Sequence, residues 1–147
     1  VAHEATYPSR KKEYGPGLAG LIELGLAQRG VDYQKIVLHR TAFAGRVAAL
    51  FQDIDLLLIP TTAIASPTNA QLAGLAEDAE LISGLLRYTC PFDMTGSPTI
   101  TLPGGFTVQG TPIAFQFVGR HFEEDMLVRA GWHYQQATDW HRRHPPI

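Results

Sequence analysis

One thiol, Cys90, and six imidazoles, His3, His39, His121, His133, His141 and His144, are the side chains from which nucleophilic or metal chemistry would first be built. Neither set is spaced for it. A thiol turns nucleophilic where a helix N-terminus or a cation lowers its pKa, and Cys90, which precedes Pro91, shows neither beside it in the sequence. His141-x-x-His144 puts two imidazoles on one helical face. Without a third ligand they make a weak zinc signal, and the pair reads as a solvated, proline-ended tail; no metal or other cofactor is expected. Hydroxyls offer more. Thr61 and Thr62 directly follow an apolar run closed by Pro60, so they could hydrogen-bond a ligand or satisfy the turn. Arg40 interrupts an apolar stripe, where its stem can be buried while its fork meets a carboxylate or carbonyls. Gln116 stands among strand residues, and a buried amide must be bonded; satisfaction at a sheet edge is the expectation.

The elements that position these residues can be read from periodicity and punctuation. Gly15-Pro16 opens a helix carrying Leu18, Leu21 and Ile22 until Gly30. Asp32 is expected to cap a longer one whose Tyr33, Ile36, Val37, Phe43, Val47, Leu50 and Phe51 repeat at three and four to about Gln52. Asp55 to Pro60 is a short continuous apolar run, expected as a central strand covered on both faces. Thr61 to Glu77 is a connection of a length that usually carries function. A helix from Asp78 or Ala79 through Leu86 and a second loop, Thr89 to Ser97, follow. Thr99 to Leu102 and Ile113 to Val118 are two more strands, joined through a segment holding Gly104, Gly105, Gly110 and Pro112. The last helix begins at Glu123, with Phe122, Met126, Leu127, Ala130 and Tyr134 on one face.

This order predicts an α/β or α+β layer architecture, in which three strands make a narrow sheet for helices this apolar to cover. The apolar strands lack the charges that guard natural edges, so they read as interior strands of a larger sheet, with an apolar face open to association. The composition sets further bounds. With 147 residues, 45% hydrophobic, 18% charged and net charge -2, the chain reads as a single globular unit. Basic residues do not cluster beyond Arg10 to Lys12 and Arg142-Arg143, which argues against a nucleic-acid partner. No apolar run approaches the roughly 18 residues of a membrane span. The lone cysteine excludes an intrachain disulfide and suits a reducing, cytoplasmic setting. The chain starts at Val1, which is expected of a processed chain or of one lying inside a longer protein.

Three stretches carry a resemblance. Asp55-Leu-Leu-Leu-Ile-Pro-Thr-Thr, then Tyr88-Thr-Cys-Pro-Phe-Asp-Met-Thr-Gly-Ser-Pro-Thr-Ile-Thr-Leu-Pro-Gly-Gly, then Gly110-Thr-Pro-Ile-Ala-Phe-Gln-Phe-Val-Gly, resemble the C-terminal part of the amidase signature family. The helix with Arg40 and the closing acidic helix are similar to that family in the same order. The resemblance implies an α/β fold, part of a mixed β-sheet covered by helices, and a serine hydrolase of carboxamide C–N bonds whose Ser, second Ser and Lys lie in a glycine- and serine-rich N-terminal half. Ser9, Ser66, Ser83 and Ser97, and Lys11, Lys12 and Lys35, match none of the three. Residues 1–147 are therefore expected to be the C-terminal, substrate-side portion of an amidase domain, inert alone, with a small-molecule amide as substrate. By the same resemblance Thr89 and Phe92 line the substrate channel beside Thr61 and Thr62, and Gly96 and Pro98 match the family's Gly-x-Pro. Asp93 and Ala114 depart from it, since the family usually has Asn and often Gly there. The alternatives are a non-catalytic binding module on the same fold and part of an amidotransferase subunit.

Overall fold

The computed structural model describes residues 2–144, which divide into two compact units, Val1–His39 and Arg40–Ile147. The first holds α1 (Tyr7–Arg10), α2 (Pro16–Leu26) and the opening of α3 (Gly30–Leu50). Pro16 sits in the first turn of α2, where its missing N–H and fixed φ cost nothing. Tyr7 is buried and donates its hydroxyl to the Glu23 carboxylate at 2.7 Å. The Lys11 ammonium donates to the same oxygen, and with Tyr7 it holds the Glu23 carboxyl below the usual carboxylate range. The start of α3 differs from expectation. Asp32 lies inside its first turn rather than before it, held by a bidentate pair with Arg29, and Tyr33 and Ile36 are exposed.

The second unit is built on a three-stranded sheet. β1 (Leu57–Pro60), β2 (Thr99–Phe106) and β3 (Pro112–Val118) are ordered β1-β3-β2 and antiparallel throughout. The Asp55 to Pro60 run is therefore an edge strand among the described residues, and β3 is central. The register Leu57↔Val118, Ile59↔Gln116 puts Leu57, Ile59, Gln116 and Val118 on one face. There they meet Phe43 and Val47 of α3, Phe51 just past its end, and Phe92, which close a core around the fully buried Val118. On the other face lies α7 (Glu124–Ala137). A Cβ on its Gly131 would stand 2.9 Å from Cδ1 of Ile100, so any larger residue there would have to push the end of that side chain aside. Tyr134 donates to the Pro103 carbonyl at 2.9 Å and stacks edge-on against Phe115. Leu58 points to the same face as α7 yet is 59% exposed, and β1 keeps its outer edge open, with neither charge nor bulge to guard it.

Connections expected as loops contain structure. The Thr61 to Glu77 stretch holds α4 (Asn69–Ala73), started by a reciprocal Thr68–Gln71 capping box, and a 3-10 turn at Leu75–Glu77. Asp78 caps α5 (Ala79–Leu86) through the Leu81 N–H. The Thr89 to Ser97 loop contains α6 (Cys90–Thr95), with Pro91 in its first turn and Gly96 at φ 75 ending it. Cys90 thus does open a helix, contrary to the reading of its surroundings from sequence. Gly104 and Gly105 belong to β2 itself, where the register shifts between Pro103 and Gly105; the turn is confined to Thr107–Thr111, closed by the Thr107 N–H on the Thr111 carbonyl. Phe122 lies outside α7, at φ 64 and 92% exposed. Helix pattern alone placed it on the apolar face, but α7 starts two residues later.

Candidate functional site

Of the six residues singled out from the sequence, five divide between the two ends of the sheet and Phe92 lies in the core. The Thr61 N–H donates to the Ala114 carbonyl, so Thr61 and Thr62 leave β1 beside the early part of β3. Thr89 follows Tyr88, whose carbonyl accepts from the Gln116 amide at 2.7 Å, and so lies near the same end. Gln116 is 2% exposed, and its partner is this loop carbonyl on the central strand rather than a sheet edge. Pro98 is elsewhere: its carbonyl accepts from Gly119 N–H, just past Val118, the residue paired with Thr99. Ala114 and Val118 are four residues apart, about 13 Å along a strand. The separation follows from α6, whose six residues carry the chain from Thr89 to Gly96 across the sheet face. A loop could have curled back; a helix rises about 1.5 Å per residue. Phe92, midway along α6, is 8% exposed within the core.

At the first end the hydroxyls differ. Thr62 donates to the Ile64 carbonyl at 2.7 Å and Thr89 more weakly to the Leu86 carbonyl at 3.4 Å. Each keeps oxygen lone pairs with which to accept an N–H. The Thr61 oxygen is covered and has no partner among the described residues, the situation in which a buried hydroxyl costs stability. The loop beyond is pinned by the Ala63 N–H on the Gly84 carbonyl, and Gly84 is required there because a Cβ would fall 2.8 Å from the Ile64 side chain.

The second end opens into a trough of about 510 Å³ between α3 and the turns around Ser97 and His121. Its polar floor is a hydroxyl pair, Thr95 with Ser97 at 2.8 Å. Beside it Arg120 donates to the Phe51 and Ile54 carbonyls and to Asp55 and Glu123; Glu123 first, and Asp55 after it, hold the guanidinium even more firmly protonated. Arg40 donates to the Met94 carbonyl at 2.6 Å, the carbonyl contact expected of it. Sequence reasoning passed over Arg120, whose signal was its place between a strand end and a helix start. Among the described residues no serine is hydrogen-bonded to a lysine or histidine, and no three His, Cys, Asp or Glu side chains gather as metal ligands. Also among them, no helix is long and apolar enough to cross a membrane.

Helices on both faces of an antiparallel sheet, with a hydroxyl-bearing end and a positive-φ Gly-x-Pro, make an α/β architecture, and similarity to known proteins gives it a family. The chain belongs to the amidase family, whose model matches residues 5–128. It is 45% identical over all 147 residues to "Putative amidase AmiD" of Mycobacterium tuberculosis, covering 31% of that relative. It is 34% identical over 149 aligned positions to a glutamyl-tRNA(Gln) amidotransferase subunit of a Cyanothece strain, covering 95% of this chain and 29% of that one. A solved 6-aminohexanoate cyclic dimer hydrolase complexed with substrate superposes with TM-score 0.72 at 28% identity, over 81% of this chain and 27% of that one. A solved amidase does so with TM-score 0.74 at 26% identity, over 88% and 30%. The chain thus spans less than a third of the length of each relative named here.

Proposed function

We propose that this chain is the C-terminal, substrate-side portion of an amidase that cleaves a carboxamide C–N bond, its Ser-Ser-Lys machinery lying in the portion these 147 residues do not include. The observation that carries the reading is the family match over residues 5–128 in a chain that spans 31% of its mycobacterial relative, joined to an interior without a serine–base pair among the described residues. In this reading Thr62 and Thr89 accept N–H groups of a small amide substrate through their free lone pairs. The Thr61 hydroxyl finds its missing partner in the substrate or in the catalytic portion. Gly96 and Pro98 fix the start of β2 rather than touch substrate, and Phe92 backs the wall from inside the core. No nucleic acid or cofactor takes part, and the setting is cytoplasmic.

The test is a chimera in which this chain replaces the matching segment of the mycobacterial relative. The chimera is expected to hydrolyse small amides, and the isolated 147-residue chain to show no turnover. Turnover by the isolated chain that survives contamination controls would overturn the assignment of the machinery to another portion. A second measurement addresses Thr61. Thr61→Val removes an unpartnered hydroxyl, so the isolated chain should gain about 1 kcal/mol in urea unfolding, while the chimera should lose about tenfold in kcat/KM. Unchanged kinetics would remove Thr61 from the wall.

A further inference from the structure

One core side chain is polar where the strand that carries it has no need of polarity. Gln116 lies within β3, 2% exposed, on the sheet face it shares with Leu57, Ile59 and Val118. An amide taken from water into such surroundings costs stability unless it is hydrogen-bonded, and an apolar side chain of the same length fills the space without that cost. Its Nε2 donates to the Tyr88 carbonyl at 2.7 Å, across 28 residues of chain. That carbonyl belongs to the junction at residues 87–89, between α5 and α6. The first amides of α6 to find a partner, those of Phe92 and Asp93, donate to the Thr89 carbonyl instead. The Gln116 amide therefore ties the junction to the central strand.

This tie falls between the two parts of the candidate wall. On one side Thr61 continues the ladder past Pro60, its N–H on the Ala114 carbonyl, two residues and about 7 Å along β3 from Gln116. Thr61 is also two residues from Ile59, the strand partner of Gln116, so all three share a face. On the other side Thr89 adjoins Tyr88. Its hydroxyl does not cap α6 and makes only a 3.4 Å bond to the Leu86 carbonyl, so the backbone around it is what holds it in place.

We infer that Gln116 is a positioning residue of the amidase: through the Tyr88 carbonyl it sets the Thr89 hydroxyl at the spacing from Thr61 and Thr62 at which an amide substrate is bound. This rests on the reading given under Proposed function, where those threonines form the substrate wall. A hydrogen bond suits the task better than an apolar contact would. It is directional, and a satisfied buried amide admits one arrangement of the junction where smooth packing admits several.

The experiment measures kcat and KM separately for hydrolysis of butanamide by the mycobacterial chimera carrying Gln116→Met, Thr89→Val or both. Methionine keeps the length of the side chain and removes its donor. Each single substitution is expected to raise KM about fivefold, the worth of one neutral hydrogen bond, with kcat held within about twofold, as for lost substrate binding. In the double variant KM should rise no further than in Thr89→Val alone, because Gln116 acts through that hydroxyl. A merely structural role would lower the folded fraction, and with it kcat, without moving KM. An unchanged KM in Gln116→Met, or effects that multiply in the double variant, overturns the inference while Thr89→Val still marks the wall. Where Gln116→Met does not fold, Gln116→Asn, which keeps the amide but draws it back by one methylene, decides by the same readings of KM. Thr89→Val without effect on KM removes Thr89 from the wall and overturns the inference with it. A parent chimera that folds but hydrolyses no amide overturns the function itself.

Discussion

Phe92→Ala should cost the isolated chain about 3–5 kcal/mol in urea unfolding, the range for removing a buried aromatic ring from a packed core. The ring belongs to the cluster with Val47, Phe51 and Val118, and it comes from α6, a six-residue helix with little stability of its own. Losing the ring therefore removes the contact that docks α6 on the sheet and leaves the Gln116 amide, bonded to the Tyr88 carbonyl just before that helix, poorly held. A loss under about 1 kcal/mol would mean that the site collapses freely and that Phe92 is available as a channel lining. Phe92→Leu, which keeps most of the apolar volume, should recover more than half of the loss.

Arg120→Met should cost about 2–4 kcal/mol, since it keeps the stem but strands the Phe51 and Ile54 carbonyls that the guanidinium satisfies at 3.0 and 2.9 Å. These carbonyls end α3 and lead into β1, so the substitution acts on the segment that sets where the edge strand begins. Arg120→Lys should rescue little of it. An ammonium is one point of donation, whereas the arginine fork reaches two carbonyls and two carboxylates at once. Equal stability of the Lys and wild-type chains in urea unfolding would show that charge alone, without the fork, suffices.

The sequence carried the fold class, the three strands and the long helices because those depend on local signals: the Val47 and Phe51 spacing, Pro16 at a helix start, the apolar Leu57–Pro60 run. It left open what depends on neighbours. A continuous apolar strand reads as central, yet Leu57–Pro60 lies at the edge of the described sheet, because pairing order is a non-local property. The stretch from Thr89 to Ser97 reads as a loop because six residues with a proline give no helical period, and Pro91 in the first turn is what lets α6 form. Where the residues beyond it lie follows from that helix: Gly96 and Pro98 are carried to the end of the sheet where β2 starts, and Phe92 into the core. Arg120 was invisible for the same reason, since its acceptors lie 65 to 69 residues upstream.

The bare Leu58 and the open rim of β1 bear on how the chain behaves at concentration. An uncharged strand at a sheet edge is a template for intermolecular β-pairing, and the proline that closes β1 confines that template to Leu57, Leu58 and Ile59. A charge introduced there by Leu58→Lys is then expected to act as a gatekeeper, lowering the rate of aggregation on storage.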